Sequence, residues 1–164
     1  MLTVIDYSLP STERRLWVID MAQRRVLQHE LVAHGAGSGD NMAVAFSNVE
    51  GSNQSSLGLF RTEDTYQGGS GYSLRISGLE PGVNDRAMER KIVVHGADYV
   101  SPDVIPELGR LGRSHGCPAL QRSVARSIID TIKGGSAIFA YYPDPQWIQE
   151  SYFLHCDGVR TAQR

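Results

Sequence analysis

Apolar and polar positions alternate most cleanly over residues 72–77, where Tyr72, Leu74 and Ile76 interleave with Ser73, Arg75 and Ser77. A period of two marks a strand with one buried face, and it sends Tyr72 and Arg75 to opposite sides. Shorter apolar runs at 16–20, 57–62, 91–95 and 137–142 read as further strands. The run 26–33 alternates only in part, which suits one strand buried on both faces at one end, with 21–25 as the turn before it. Helical spacing is clear once, at Val124, Ile128, Ile129 and Ile132, with Gly134 as the stop. That helix starts somewhere between Pro118 and Ser123, and 86–90 reads as a single helical turn. Polar or glycine-rich stretches at 47–56, 68–71 and 81–85 read as turns and loops. Pro143 and Pro145 end the last strand, and the tail from Trp147 holds a short helix or packs over the sheet. At least six strands against one clear helix predict a mainly β domain. The length of 164 residues fits one domain, 1–164, with a sizeable core.

Charge and composition narrow the partners. The formal net charge of −2 gives no electrostatic case for nucleic acid. No apolar run approaches a membrane span. The opening Met1–Asp6 lacks the basic region and sustained apolar core of a secretory leader. Two cysteines, Cys117 and Cys156, make no disulfide framework, so both are expected to be reduced. A monomer is expected, with no cofactor.

Chemistry concentrates in Gly109–Pro118, where three glycines and a proline allow sharp turns around the Cys117 thiol. His115 stands two residues before the thiol, and Arg110 and Arg113 add positive charge, which favours a thiolate. The 91–95 run delivers a second histidine, His95, followed by Gly96. A histidine at a strand end and a cysteine in a glycine-rich loop make a cysteine-nucleophile site. A helix starting at Pro118 would lower the thiol pKa further, and one starting at Ser123 would add little. Two decoys are set aside. Cys156 follows His155 but has no glycine turn. The stretch His34–Asp40 imitates both a dinucleotide loop and His95-Gly96, yet lacks the third glycine and a following helix, so it reads as scaffold or rim.

Ser114-His115-Gly116-Cys117, preceded by His95-Gly96, resembles the signature of L,D-transpeptidase catalytic domains of the YkuD type. The resemblance extends over roughly residues 13–143, through Trp17–Asp20, Phe46–Asn48 and Ser55–Gly58, and is nearest the branch reading Gly-Arg-Ser-x-Gly-Cys-Pro-Ala. Pro118-Ala119 depart from the apolar residue and Arg or Asn found there in many members. The resemblance implies a barrel-like or sandwich fold of mixed sheets with one or two helices. It implies acyl transfer on peptidoglycan tetrapeptide stems outside the cytoplasm, in periplasm or envelope, through a Cys117 thioester, by 3→3 cross-linking or D-amino-acid exchange. His95 would take the thiol proton or hold a thiolate–imidazolium pair. Backbone N–H groups around Gly116 and Cys117 would hold the oxyanion, with Ser114 fixing the loop. His115 would orient substrate or hold the turn, and Arg113, Arg75 and Tyr72 are candidate substrate contacts. An L,D-carboxypeptidase differs only in its acceptor, water. A zinc hydrolase on His95, His115, Asp98 or Cys117 lacks any familiar ligand spacing. A wall-binding module without catalysis leaves the cysteine and both histidines unexplained.

Overall fold

The computed structural model describes residues 1–155, and Cys156 lies outside them. Nine strands form one mixed sheet: β1 (Leu2–Asp6), β2 (Leu16–Asp20), β3 (Arg25–Glu30), β4 (Val32–Ala33), β5 (Gly58–Gly68), β6 (Gly71–Gly78), β7 (Val93–Ala97), β8 (Ala119–Gln121) and β9 (Ala137–Tyr141). Their spatial order is β3-β2-β1-β9-β5-β6-β7-β8-β4. β1 runs parallel to β9 and β7 parallel to β8, and the other pairs are antiparallel. The two ends of this order, β3 and β4, are separated in the chain by Leu31 alone. One residue spans only about 3.5 Å, so the two edges must lie side by side. The sheet is therefore a nearly closed barrel.

The expected run 26–33 is thus two strands, because Leu31 carries the chain from one edge to the other. β1 and β8 have no counterpart among the expected strands. The core gathers Ile5, Leu16, Val18, Val32, Phe60, Leu74, Ile76, Val94, Leu120 and Ile138, all nearly or fully buried. Helix α1 (Ile105–Leu108) is a single turn, and α3 (Pro145–Glu150) sets Trp147 into the core.

Helix α2 (Arg122–Ile132) packs across β6, β7 and β8. Its buried Ala125, Ile128, Ile129 and Ile132 fit the helical period read from the sequence. Each fully buried isoleucine contributes about 2 kcal/mol of transfer free energy. Gly96 permits this approach: a Cβ there would stand 3.0 Å from the Ala125 Cβ and 3.3 Å from the Arg122 Cα. The glycine after His95 therefore serves packing. Since β8 lies between Cys117 and α2, the helix does not begin at Pro118, and its dipole is not aimed at the thiol.

Candidate active site

β7 and β8 bring the motif together. They pair in parallel with His95 beside Ala119. Two residues back along each strand, Val93 would meet Cys117. Pro118 has no N–H to offer that ladder, and the cysteine side chain bonds to the β7 side instead: Sγ accepts the Val93 N–H at 3.4 Å and the thiol donates to the Lys91 carbonyl at 3.8 Å. His95, His115, Ser114, Arg113 and Cys117 line one cavity of about 240 Å³ with Ser70 and Tyr99. His95 is 7% exposed, whereas His115 is exposed.

The imidazole of His95 is oriented by its own strand. Nδ1 lies 3.2 Å from the Gly96 carbonyl, which only accepts, so Nδ1 carries the proton and Nε2 keeps a lone pair. Burial lowers the His95 pKa, outweighing the Gly96 carbonyl, and the Arg122 charge adds to the lowering. Burial likewise raises the Cys117 pKa, with the Val93 N–H and Arg90 pulling it partly back. Both directions favour a neutral thiol beside a neutral imidazole over a preformed ion pair. Among the described residues no direct hydrogen bond joins His95 to Cys117; the two meet across the cavity they share.

Ser114 shapes the loop from within. Ser114 Oγ donates to the Cys117 carbonyl at 2.6 Å and accepts the Gly116 N–H at 3.1 Å. The Ser114 backbone pairs with His34 and Ala36 at 3.0 and 2.8 Å. Gly116 sits at φ 119, and a Cβ there would press on the Gln54 carbonyl at 2.8 Å and Ile92 Cδ1 at 3.0 Å. No other residue satisfies both constraints. With the Gly116 amide committed to Ser114, the Cys117 amide is left without an intramolecular acceptor among the described residues.

The remaining sequence candidates separate. Arg110 and Arg113 both reach Asp40, at 3.3 and 3.0 Å, so their charge is shared with a carboxylate rather than given to the thiol. The cation felt at Cys117 is Arg90, which sequence reading did not single out. Its guanidinium donates to Ser47 O, Ser56 Oγ, Gln54 O and Ser52 Oγ, all neutral acceptors. Tyr72 turns to α2, donating to Asp130 at 2.7 Å under the Arg126 guanidinium, and does not line the Cys117 cavity. Arg75 stacks on Tyr66, with its Cζ 4.2 Å from the ring centroid, beside a separate cavity of about 260 Å³ that also touches Lys91 and Val93. Asp98 holds Arg122 through two hydrogen bonds of 2.5 and 2.9 Å. Among the described residues no three of His, Cys, Asp and Glu converge as metal ligands would. No helix of the described residues is long and apolar enough to cross a membrane.

Comparison with known proteins gives the family and the fold. Residues 1–141 match the family model described as L,D-transpeptidase catalytic domain, and the chain belongs to that family. Among solved structures, an L,D-transpeptidase from Mycobacterium smegmatis superposes with a TM-score of 0.51 at 15% identity, over 86% of this chain and 58% of that one. A helical cell shape determining protein from Campylobacter jejuni gives 0.54 at 12% identity, over 85% of this chain and 46% of that one. This chain thus spans roughly half the length of these structural relatives, and at such identities the likeness is one of fold. No similar sequence is found among curated proteins.

Proposed function

We propose that the protein is a peptidoglycan L,D-transpeptidase working through a Cys117 thioester on tetrapeptide stems, outside the cytoplasm. One observation carries the reading. His95, with Nδ1 spent on the Gly96 carbonyl and a lone pair left on Nε2, lines the same cavity as Cys117. This is the arrangement a nucleophile and general base require.

In the first half-reaction the Cys117 proton passes to His95 Nε2. The sulfur bonds to the carbonyl carbon between the L-centre of the diamino acid and the terminal D-amino acid. The electron pair of the C=O moves to oxygen, and the Cys117 N–H stabilises that oxyanion. When the intermediate collapses, the C–N bond breaks and the imidazolium returns its proton to the departing amine. In the second half-reaction an amine of another stem attacks the thioester, His95 takes the amine proton, and the thiol is restored. Arg113, which lines the cavity while reaching Asp40, would exchange or share that partner to hold a stem carboxylate, and exposed His115 would orient the peptide.

Incubation with disaccharide-tetrapeptide, read by mass spectrometry, tests the proposal. Cross-linked dimers that vanish with Cys117→Ala and survive chelation are expected. Tripeptide alone would make water the acceptor and the protein an L,D-carboxypeptidase. No change in any stem peptide would remove the substrate assignment.

A further inference from the structure

Ser55 lies outside the cysteine motif, in the polar segment before β5, and is 1% exposed. Its hydroxyl donates to the Gly116 carbonyl at 3.2 Å and accepts the Gly35 N–H at 3.0 Å. The Ser55 backbone N–H is itself fixed by Ser38 Oγ at 2.9 Å. The Gly116–Cys117 peptide is trans. In a trans peptide the C=O and the N–H point in opposite directions from one rigid plane. A buried hydroxyl holding the Gly116 oxygen therefore turns the Cys117 N–H the other way. Gly116 itself, at φ 119, has no side chain to resist a flip of this plane.

We propose that Ser55 is a positioning residue that locks the Gly116–Cys117 peptide plane so that the Cys117 amide faces the cavity as an oxyanion donor. The role rests on Cys117 being an acyl-accepting nucleophile, but not on any particular natural substrate. Ser114 locks the same loop from within, through the Gly116 amide and the Cys117 carbonyl. Among the described residues Ser55 alone grips the oxygen of the plane in question.

Two reactions of the same sulfur separate this role from general support of the loop. Acylation by p-nitrophenyl acetate passes through an oxyanion, whereas alkylation by iodoacetamide displaces iodide and forms none. Both are measured against a Cys117→Ala background. Ser55→Ala should slow acylation by about tenfold to a hundredfold, below the loss of about 10²–10³ for removing an oxyanion donor outright. Alkylation should change by less than about twofold, since no charge is removed. Ser55→Thr, which keeps the hydroxyl, should restore much of the acylation rate. Equal loss in both reactions, or loss in neither, overturns the proposal. Should Ser55→Ala not fold, amide hydrogen exchange of the unaltered protein decides. The Cys117 amide should exchange far faster than the Gly116 amide, which Ser114 binds. A protected Cys117 amide would mean the plane is turned the other way. Failure of the stem-peptide assay with these results intact would remove the substrate reading and leave this one standing.

Discussion

The chain carries the dipeptide His-Gly three times: His115-Gly116 lies in the cysteine loop itself, and the other two copies flank β8, the strand just after that loop, with β7 holding His95-Gly96 on one side and β4 ending just before His34-Gly35 on the other. The imidazoles of the two flanking copies are used in opposite ways. His34 is fully buried, and its Nδ1 lies 2.7 Å from an Arg15 guanidinium nitrogen. Arginine only donates, so that Nδ1 accepts, and the ring proton sits on Nε2, 3.4 Å from the Gly39 carbonyl. Both ring nitrogens are consumed. In His95 the partner of Nδ1 is a carbonyl instead, and Nε2 remains basic. The dipeptide does not define a base; the partner of Nδ1 does.

Breaking each flanking copy should therefore give different losses. His95→Ala should reduce stem-peptide turnover by about 10²–10⁴-fold, the usual worth of a general base, with little change in thermal midpoint. His34→Ala should do the reverse, and a matched loss of turnover per folded molecule in both would erase the distinction.

The support of His34 is the next target. Arg15 is fully buried and, among the described residues, forms no ion pair with a carboxylate, donating instead to Val32 O, Leu9 O and His34. Arg15→Ala would strand several buried acceptors at about 1–3 kcal/mol each. A loss of roughly 3 kcal/mol or more in denaturant unfolding is expected, and a loss below about 1 kcal/mol would show that the cluster relaxes.

The same burial makes stability depend on pH. His34 has its pKa lowered from 6.5 to about 4, first by burial and then by Arg15. Between those values the unfolded chain binds a proton that the folded chain refuses, so stability is lost as pH falls from about 6.5 toward about 4. The full window is worth about 3 kcal/mol. His34→Gln should flatten it in urea titrations at a series of pH values, and an unchanged slope would place the acid sensitivity elsewhere.

The smallest effect concerns the thiol. Because burial raises the Cys117 pKa and lowers that of His95, iodoacetamide alkylation should keep rising above pH 9 rather than level off near neutrality. Arg90→Gln should move this profile to higher pH, with Arg90→Lys between. A plateau below pH 7 would instead show the ion pair.

The motif was legible because it is local: His95-Gly96 and Ser114–Cys117 are short runs whose neighbours in the chain are also their neighbours in space. The alternation of β6 and the period of α2 were legible for the same reason. What escaped depends on distant partners. β1 buries Thr3 and Ile5 and leaves Leu2 and Val4 half-exposed, so its inward face does not follow apolarity; the Thr3 hydroxyl is buried without a hydrogen-bond partner. β8 has three residues between a proline and a helix, too few to show a period. Arg90 sits among Arg86, Glu89 and Lys91, and nothing local distinguishes the cation that lies behind Gly116. Ser55 is one serine in a serine-rich stretch, known for its role only once the Gly116 oxygen is beside it.

The single-residue passage from β3 to β4 has a kinetic consequence. β1, near the start of the chain, must find β9, pairing Leu2 with Ala137, before the ring can shut. Hairpins such as β5–β6 can form early, but that closing contact spans most of the sequence and carries a large loop-closure entropy. Folding should accordingly be slow, in the millisecond-to-second range or beyond that non-local β topologies show. The nucleophile loop is held by long-range contacts of its own, Ser114 N–H to the His34 carbonyl and Ala36 N–H to the Ser114 carbonyl, so it takes its final shape only once β4 has found β8, pairing Ala33 with the distant Ala119.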